Sequence, residues 1–143
     1  MIAYVDTSAL VKLFVTEEGS QATRDMLHQA WTIGTGLLSR AELGAALARG
    51  AQRRLFSEAE AQQTRQQLET VWPTWVHVGV DEELIARAEA LAWTYKLREY
   101  DAVHLASALT WQERLEYPVL LLTFDRELSD SARRAGLETW PKS

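Results

Sequence analysis

Short apolar segments alternate with helical segments along this chain, and this alternation is the feature that most restricts its fold. Ile2–Val5 and Val119–Thr123 predict buried strands, and Thr32–Thr35, Trp75–Val80 and Leu137–Trp140 predict further short ones. Segments of helical periodicity lie between them. Strands separated by helices form a parallel sheet that is covered on both faces. The pattern therefore predicts an α/β fold, with a central, mostly parallel sheet flanked by helices.

Length and composition are those of one compact domain. The chain has 143 residues, so we expect a single domain over residues 1–143. It has no cysteine, which excludes disulfides and thiolate metal sites. A net charge of −5 disfavours a basic coat protein for nucleic acids, but it suits a nuclease that gathers carboxylates to hold cations. Without a basic leader or an apolar run of about eighteen residues, we expect a cytoplasmic protein that does not contact membranes.

Several residues predict where helices begin and end. Ser8 is a candidate N-cap for a helix over Ala9–Val15. Ser39 and Glu42 have the spacing of a capping box, which predicts a helix that Gly50 ends.

Four carboxylates are predicted to meet at one edge of the sheet. Asp6 ends the first strand, and Asp125 follows the strand over Val119–Thr123. The carboxyl ends of parallel strands lie at one edge, where α/β proteins bind their ligands. Glu42 and Asp101 lie in the first turns of helices that start at the same edge, where backbone N–H groups favour negative charge.

Such a cluster suits the chemistry of hard divalent cations. Mg²⁺ and Mn²⁺ prefer oxygen ligands, and a pair of them can activate water and stabilise the leaving oxygen of a phosphodiester. Without cations the carboxylates repel one another, which raises some of their pKa values.

Each acid also has a purely structural explanation. Asp125 can be an N-cap, Glu42 can complete a capping box with Ser39, and Asp101 can be a first-turn acid. Asp6 is harder to explain in this way, because an unpaired acid at the end of a buried strand is costly. The joint pattern, rather than any single acid, favours a functional site.

The segments around these acids resemble four sequence blocks of the PIN domain family. The blocks are Asp6–Leu13, Ser39–Glu42, Tyr100–Ala108 and Leu122–Leu128, in matching order over nearly the whole chain. Within the family, they most resemble the VapC-type toxins of bacterial and archaeal toxin–antitoxin pairs. The resemblance implies a parallel sheet flanked by helices, a Mg²⁺- or Mn²⁺-dependent endoribonuclease, an RNA substrate, a homodimer and a protein antitoxin that blocks the site.

The same resemblance assigns roles to individual residues. The positions that bind metal in the family correspond to Asp6, Glu42, Asp101 and Asp125. The family often keeps hydroxyl groups near these acids, and here they would be those of Ser8 and Thr123. We expect the two hydroxyls to orient carboxylates or water.

Other polar and aromatic residues have more than one interpretation. His104 lies one turn after Asp101, and it can contact the site or be a satisfied packing residue. Trp93 and Trp111 are predicted to lie in the core. A small basic patch can contact RNA phosphate or can simply be the solvent-exposed end of a helix. It consists of Arg49, Arg53 and Arg54.

Three alternatives differ in how well this sequence fits them. A haloacid dehalogenase-type phosphatase needs a second Asp two residues after the first, where this chain has Ser8. A receiver domain needs a Lys after a late strand, where this chain has Thr123, Phe124 and Asp125. A catalytically silent PIN fold that only binds a partner remains the alternative to an enzyme, although all four acids are present.

Overall fold

A computed structural model describes residues 1–142 and shows five parallel strands in one sheet, in the order β3-β2-β1-β4-β5. The central position of β1 gives it a hydrogen-bonded neighbour on each side. The predicted α/β fold with a parallel sheet flanked by helices is confirmed. The strands are β1 Ile2–Val5, β2 Thr32–Gly36, β3 Val76–Val78, β4 Val119–Leu122 and β5 Glu138–Trp140.

In the described part of the chain, seven α-helices connect or follow these strands, and a short 3-10 turn over Trp72–Thr74 precedes β3. None of the helices within residues 1–142 is long and apolar enough to span a membrane. The helices are α1 Thr7–Phe14, α2 Ser20–Leu27, α3 Ser39–Gln52, α4 Glu58–Val71, α5 Glu82–Tyr95, α6 Glu99–Leu115 and α7 Arg126–Arg134.

The sheet is buried on both faces, as the side chains of β1 show. Tyr4 packs into the cluster formed with α5, α6 and α7, whereas Ala3 and Val5 pack into the cluster formed with α1 and α2. A third cluster between α3 and α4 contains Leu43 and Leu68. Burial on both faces explains why the strands are short, continuous apolar runs rather than alternating ones.

Two predicted helix ends are wrong. Helix α1 begins at Thr7 and is capped by Asp6, whose carboxylate accepts from the backbone N–H of Ala9; Ser8 lies inside the helix. Helix α3 continues through Gly50 to Gln52. Gly50 is buried there, and a Cβ at this position would overlap the ring of Phe56. This glycine serves close packing inside a helix rather than its termination.

The two tryptophans predicted for the core have different surroundings. Trp111 is buried, as predicted, but Trp93 is 78% exposed, with the ammonium of Lys96 4.7 Å from its ring centroid. Leu84 and Ala88 form the buried side of α5. Five residues turn a helix by about 140°, so Trp93 lies away from the side that carries Ala88.

Replacing Gly34 by alanine should destabilise the fold. A Cβ at Gly34 in β2 would lie 2.6 Å from the Cη2 atom of Trp111 in α6. Because the strand and the indole are both packed, we expect Gly34→Ala to lower the free energy of unfolding by about 1–3 kcal/mol in urea titrations.

Gly44→Ala is the matched control, because no atom of the described residues lies within 4 Å of a Cβ built there in α3. It should raise stability by about 0.5–1 kcal/mol, the usual preference for alanine inside a helix. A Gly34 variant as stable as the Gly44 variant would contradict the packing argument.

Candidate active site

The pairing of β1 with β4 places Asp6 beside Thr123. The backbone N–H of Asp6 donates to the carbonyl of Leu122 at 3.1 Å, which extends the pairing by one residue. The carboxylate is buried, with Asp6 only 3% exposed. Its Oδ2 accepts from the Thr123 hydroxyl at 2.7 Å, and its Oδ1 accepts from the Ser8 hydroxyl at 2.7 Å and from the N–H of Ala9 at 3.1 Å. The structure thus brings both predicted hydroxyl residues, Ser8 and Thr123, to this acid.

Asp6 is therefore a buried acid with its hydrogen-bonding capacity largely used. Burial raises the pKa of its carboxyl above the ordinary value, although the charge of His104 and the hydrogen bonds from Ser8, Thr123 and Ala9 oppose that rise. These donors favour the charged form, which a metal ligand requires.

Asp125 is joined to Asp6 through one hydroxyl group. Its backbone N–H donates to the Thr123 Oγ1 at 3.0 Å, while that hydroxyl donates to Asp6. The Oδ1 of Asp125 accepts from the N–H of Leu128 at 2.9 Å, so the N-cap interpretation of Asp125 is confirmed. The cap occupies one oxygen of the carboxylate, and the second oxygen lies towards Arg98.

Asp101 lies in the first turn of α6, close to Asp125 and to Arg98. The Nε of Arg98 is 3.9 Å from the Oδ2 of Asp101, and its Nη2 is 3.9 Å from the Oδ2 of Asp125. Burial raises the pKa of Asp101 to about 6, with further contributions from the negative charges of Asp125 and Asp6 and opposition from Arg98 and His104. The sequence-based expectation that like charges raise a pKa in this cluster is confirmed at Asp101.

The capping box predicted for Glu42 does not form. Helix α3 has Leu38 at its N-cap, so Ser39 is already inside the helix and its side chain cannot cap it. The Ser39 hydroxyl instead lies 2.7 Å from the hydroxyl of Thr35 in β2. The structural explanation of Glu42 as a capping-box acid is therefore wrong, and its carboxylate is available for other contacts.

Glu42 instead forms a chain of hydrogen-bonding groups with His104 and Tyr4. Its Oε1 lies 2.8 Å from the Nε2 of His104 and accepts from the Thr7 hydroxyl at 3.0 Å. The other ring nitrogen of His104, Nδ1, is 2.9 Å from the hydroxyl of Tyr4. His104 is only 3% exposed, so it is a satisfied packing residue that also contacts a candidate site residue.

The His104 and Glu42 side chains shift each other's pKa in opposite directions. Burial lowers the pKa of His104, but its hydrogen bond to Glu42 and the charges of Asp6, Glu42 and Asp101 raise it above its ordinary value of 6.5. Burial raises the pKa of Glu42, but the hydrogen bond and charge of His104 and the bond from Thr7 bring it below 4.5. Each group therefore stabilises the charged form of the other.

Sequence reasoning missed Arg98 and Tyr4 as residues of this cluster, and it left open whether His104 contacts the site. Arg98 and His104 lie one turn before and after Asp101, a spacing that marks them as neighbours on one helix face. Tyr4 has no comparable signal, because it is one of several apolar or aromatic residues in β1. The predicted basic patch is exposed at the end of α3 and consists of Arg49, Arg53 and Arg54.

The donor set fits a hard divalent cation by its chemistry. Its members are carboxylate and hydroxyl oxygens, with no thiol. Burial is the main cause of the raised pKa of Asp101, and the negative charges of Asp125 and Asp6, which such a cation would neutralise, add to it. Within residues 1–142, however, no three His, Cys, Asp or Glu side chains surround one point closely enough to hold an ion. The side chains as placed therefore do not by themselves define a coordination shell.

The metal-free protein should become less stable as the pH rises from about 5 to about 8. The pKa values of Asp6, Asp101 and His104 are raised, so the folded state binds more protons than the unfolded chain, and stability falls through this range. Glu42, with its lowered pKa, contributes stability above 4.5 that is lost only at more acidic pH. Thermal melts in EDTA over a series of pH values measure the slope.

Asp101→Asn tests which group causes the acidic part of that slope. The contribution of Asp101 ends near its folded pKa of about 6, so the variant should flatten the profile mainly below about pH 6. A smaller flattening should follow above pH 6, because the charge of Asp101 also raises the pKa of His104. A melting temperature that rises from pH 5 to 8 in the wild type is the opposite of the expected result.

Comparison with known proteins agrees with this architecture. The profile of the PIN domain family matches residues 3–134. Ribonuclease VapC49 of Mycobacterium tuberculosis is 31% identical over 140 residues, covering 98% of this chain and 95% of the relative. Ribonuclease VapC3 of Pyrobaculum aerophilum is 33% identical over 128 residues, covering 88% of this chain and 91% of the relative.

A solved structure shows the same fold at lower identity. VapBC2 from Rickettsia felis, bound to a DNA fragment from its promoter, includes a chain with a TM-score of 0.66 and 15% identity, covering 98% of this chain and 99% of that one. Because the family profile spans most of the sequence and the relatives align over nearly all of it, the chain belongs to the PIN domain family.

Proposed function

We propose that this chain is a Mg²⁺- or Mn²⁺-dependent endoribonuclease and the toxin of a toxin–antitoxin pair, with the PIN domain extending over residues 1–143. The observation that carries the proposal is the placement of four acids at the carboxyl edge of the sheet, where burial raises the pKa of Asp101 and the charges of Asp125 and Asp6 raise it further. The relatives named ribonuclease support an activity on RNA.

The residues proposed to hold the metal are Asp6, Glu42, Asp101 and Asp125. A divalent cation bound to them would supply an activated water and would stabilise the leaving oxygen during cleavage of a phosphodiester. The surrounding residues position the ligands. Ser8 and Thr123 hold the two oxygens of Asp6, while Thr7 and His104 hold one oxygen of Glu42. Such positioning lowers the cost of assembling the reacting groups.

A surface depression next to Glu42 offers a path for single-stranded RNA. It is lined by Thr7, Glu42, Arg49 and Tyr100, among others. Tyr100 is 53% exposed and precedes Asp101, so its ring can stack with a nucleobase near the acids. Arg49 belongs to the exposed basic patch and can contact a phosphate of the same strand.

An antitoxin and a second copy of the chain are the proposed protein partners. The net charge of −5 favours an antitoxin with a basic segment, which would cover the acids and block the access of RNA. An apolar depression between α5 and α6, lined by Ile85, Ala92 and Val103 among others, is the proposed dimer contact. The proposed RNA substrate and antitoxin of this protein would place it in the cytoplasm.

One observation favours the silent binding module over the enzyme. Within the described residues, no three acids or histidines surround a single point as placed. A protein that used these acids only to cap helices and to bind a basic partner would not need its carboxylates to surround an ion. Direct measurement of metal binding separates the two functions.

Mn²⁺ should stabilise the wild type and should stabilise Asp101→Asn much less. Bound metal adds stability by mass action, about 2.7 kcal/mol at a concentration of about 100 times the dissociation constant. Without metal, Asp101→Asn should melt at the same temperature or higher, because it removes one repelling charge. Thermal melts with and without Mn²⁺ measure both effects. Asp25→Asn, at an exposed position in α2, is the control and should behave as the wild type.

Cleavage of RNA should follow the same pattern. Total bacterial RNA is a suitable probe, because it offers many structures and sequences at once. EDTA should abolish cleavage, and Asp101→Asn should lower its rate by at least about 10²-fold. Cleavage that persists in EDTA would refute the metal mechanism. A wild type that neither gains stability from Mn²⁺ nor cleaves RNA would favour the silent module.

Ile85→Glu should convert a dimer into a monomer. Ile85 is partly exposed at the proposed contact, and a buried unpaired charge there would oppose association. Light scattering of the wild type and the variant measures the mass. Leu115→Glu, at a similarly exposed apolar residue near the end of α6, is the control and should stay dimeric. A wild type that is monomeric at all practical concentrations would remove the dimer from the proposal.

A further inference from the structure

The carboxyl edge of the sheet, where Asp6, Glu42, Asp101 and Asp125 lie, is called the acid edge below. Arg98 is a cation at this edge to which the proposed function assigns no role. Within residues 1–142, it is the only Lys or Arg whose side chain lies within 4.0 Å of a carboxylate of Asp6, Glu42, Asp101 or Asp125. Its side chain is 78% exposed. It therefore faces solvent at the position where a substrate would approach the acids.

The backbone of Arg98 is held in place, whereas its guanidinium is not. The residue is the N-cap of α6, and the preceding Leu97 is buried in the core. The guanidinium lies 3.9 Å from an oxygen of Asp101 and 3.9 Å from one of Asp125, beyond hydrogen-bonding distance of both. Its planar set of donors makes no side-chain hydrogen bond within the described part of the chain and remains free for another anion.

Two of the other cations near the site, Lys12 and His104, are already engaged. Lys12 pairs with Glu17 at 3.2 Å and lies over the ring of Phe124. His104 is buried, with both ring nitrogens near Tyr4 and Glu42. Neither can turn to a ligand in solvent without breaking these contacts, whereas Arg98 can.

We infer that Arg98 binds the two non-bridging oxygens of an RNA backbone phosphate at the acid edge, and that it partly neutralises Asp101 and Asp125 when no divalent cation is present. This inference rests on the proposed function. A guanidinium matches phosphate through parallel hydrogen bonds, which are stronger than its contacts with the two acids here. A cation entering between the acids repels the guanidinium, and the phosphate that accompanies the substrate attracts it.

This exchange of partners has two opposite consequences. Arg98 competes with a divalent cation for Asp101 and Asp125, so its removal should strengthen metal binding. It contributes a contact with phosphate, so its removal should weaken RNA binding. A residue that only stabilised the fold would not shift the two affinities in opposite directions.

The experiment compares Arg98→Gln, Arg98→Lys and the wild type. The control is Arg65→Gln, at an exposed arginine of α4 that contacts Gln62. Melts in EDTA verify that all variants fold. Mn²⁺ affinity is measured by the rise in melting temperature without RNA. RNA affinity is measured by the fluorescence anisotropy of a fluorescein-labelled RNA single strand of random sequence. The titrations contain Ca²⁺, which prefers the same oxygen ligands. They are repeated over a series of salt concentrations.

Arg98→Gln should bind Mn²⁺ more tightly than the wild type and bind RNA about tenfold more weakly. The slope of log affinity against log salt should decrease by about 0.7, the value for one phosphate contact on a single strand. Arg98→Lys should keep the salt slope, and Arg65→Gln should change neither affinity.

An unchanged salt slope or weaker Mn²⁺ binding in Arg98→Gln would overturn the inference. The proposed function fails in a different place, namely in the wild type, as an absence of Mn²⁺ binding and of metal-dependent cleavage. The RNA affinity and its salt slope can be measured in both cases.

Discussion

The parallel pairing of β1 with β4 is the interaction on which the rest of the site depends. Val5 pairs with Leu122, so the next residues, Asp6 and Thr123, are neighbours although they lie 117 positions apart in the chain. A shift of this pairing by one residue would send Tyr4 to the wrong face of a sheet that is buried on both sides. The packing of the core therefore determines the distance between the carboxylate and the hydroxyl.

Helix N-termini make this edge tolerant of negative charge. Asp6 caps α1 and Asp125 caps α7, each through its Oδ1. The helix dipole and the exposed N–H groups favour the charged form of both carboxylates, which offsets part of the cost of burial. A carboxylate has two oxygens, so a capping contact and a contact with a cation are compatible. The sequence interpretation treated these two roles as alternatives, and the geometry does not require that choice.

The strands, the edge of the sheet and the acids that lie there follow from patterns that the sequence displays directly. Apolar runs identify β1 and β4, and the chain order places Asp6 and Asp125 at their ends. The contact of Glu42 with His104 joins residues 62 positions apart and depends on side-chain orientation, which no local pattern specifies. Trp93 was misplaced for a related reason, because an apolar residue in a helix does not reveal which neighbours compete for the core. Sequence patterns therefore predict elements better than contacts.

The two basic groups of the site differ in how they are held, and this divides the acids into two sets. His104 is buried between two hydrogen-bonding partners, so its contact with Glu42 is a permanent part of the fold. Arg98 is exposed and is attracted to Asp101 and Asp125 by charge alone. An attraction of that kind is weak in solvent, and a stronger ligand can replace it. The preorganised part of the site therefore lies at Glu42 and at the buried Asp6, whereas the part that can exchange one cation for another lies between α6 and α7.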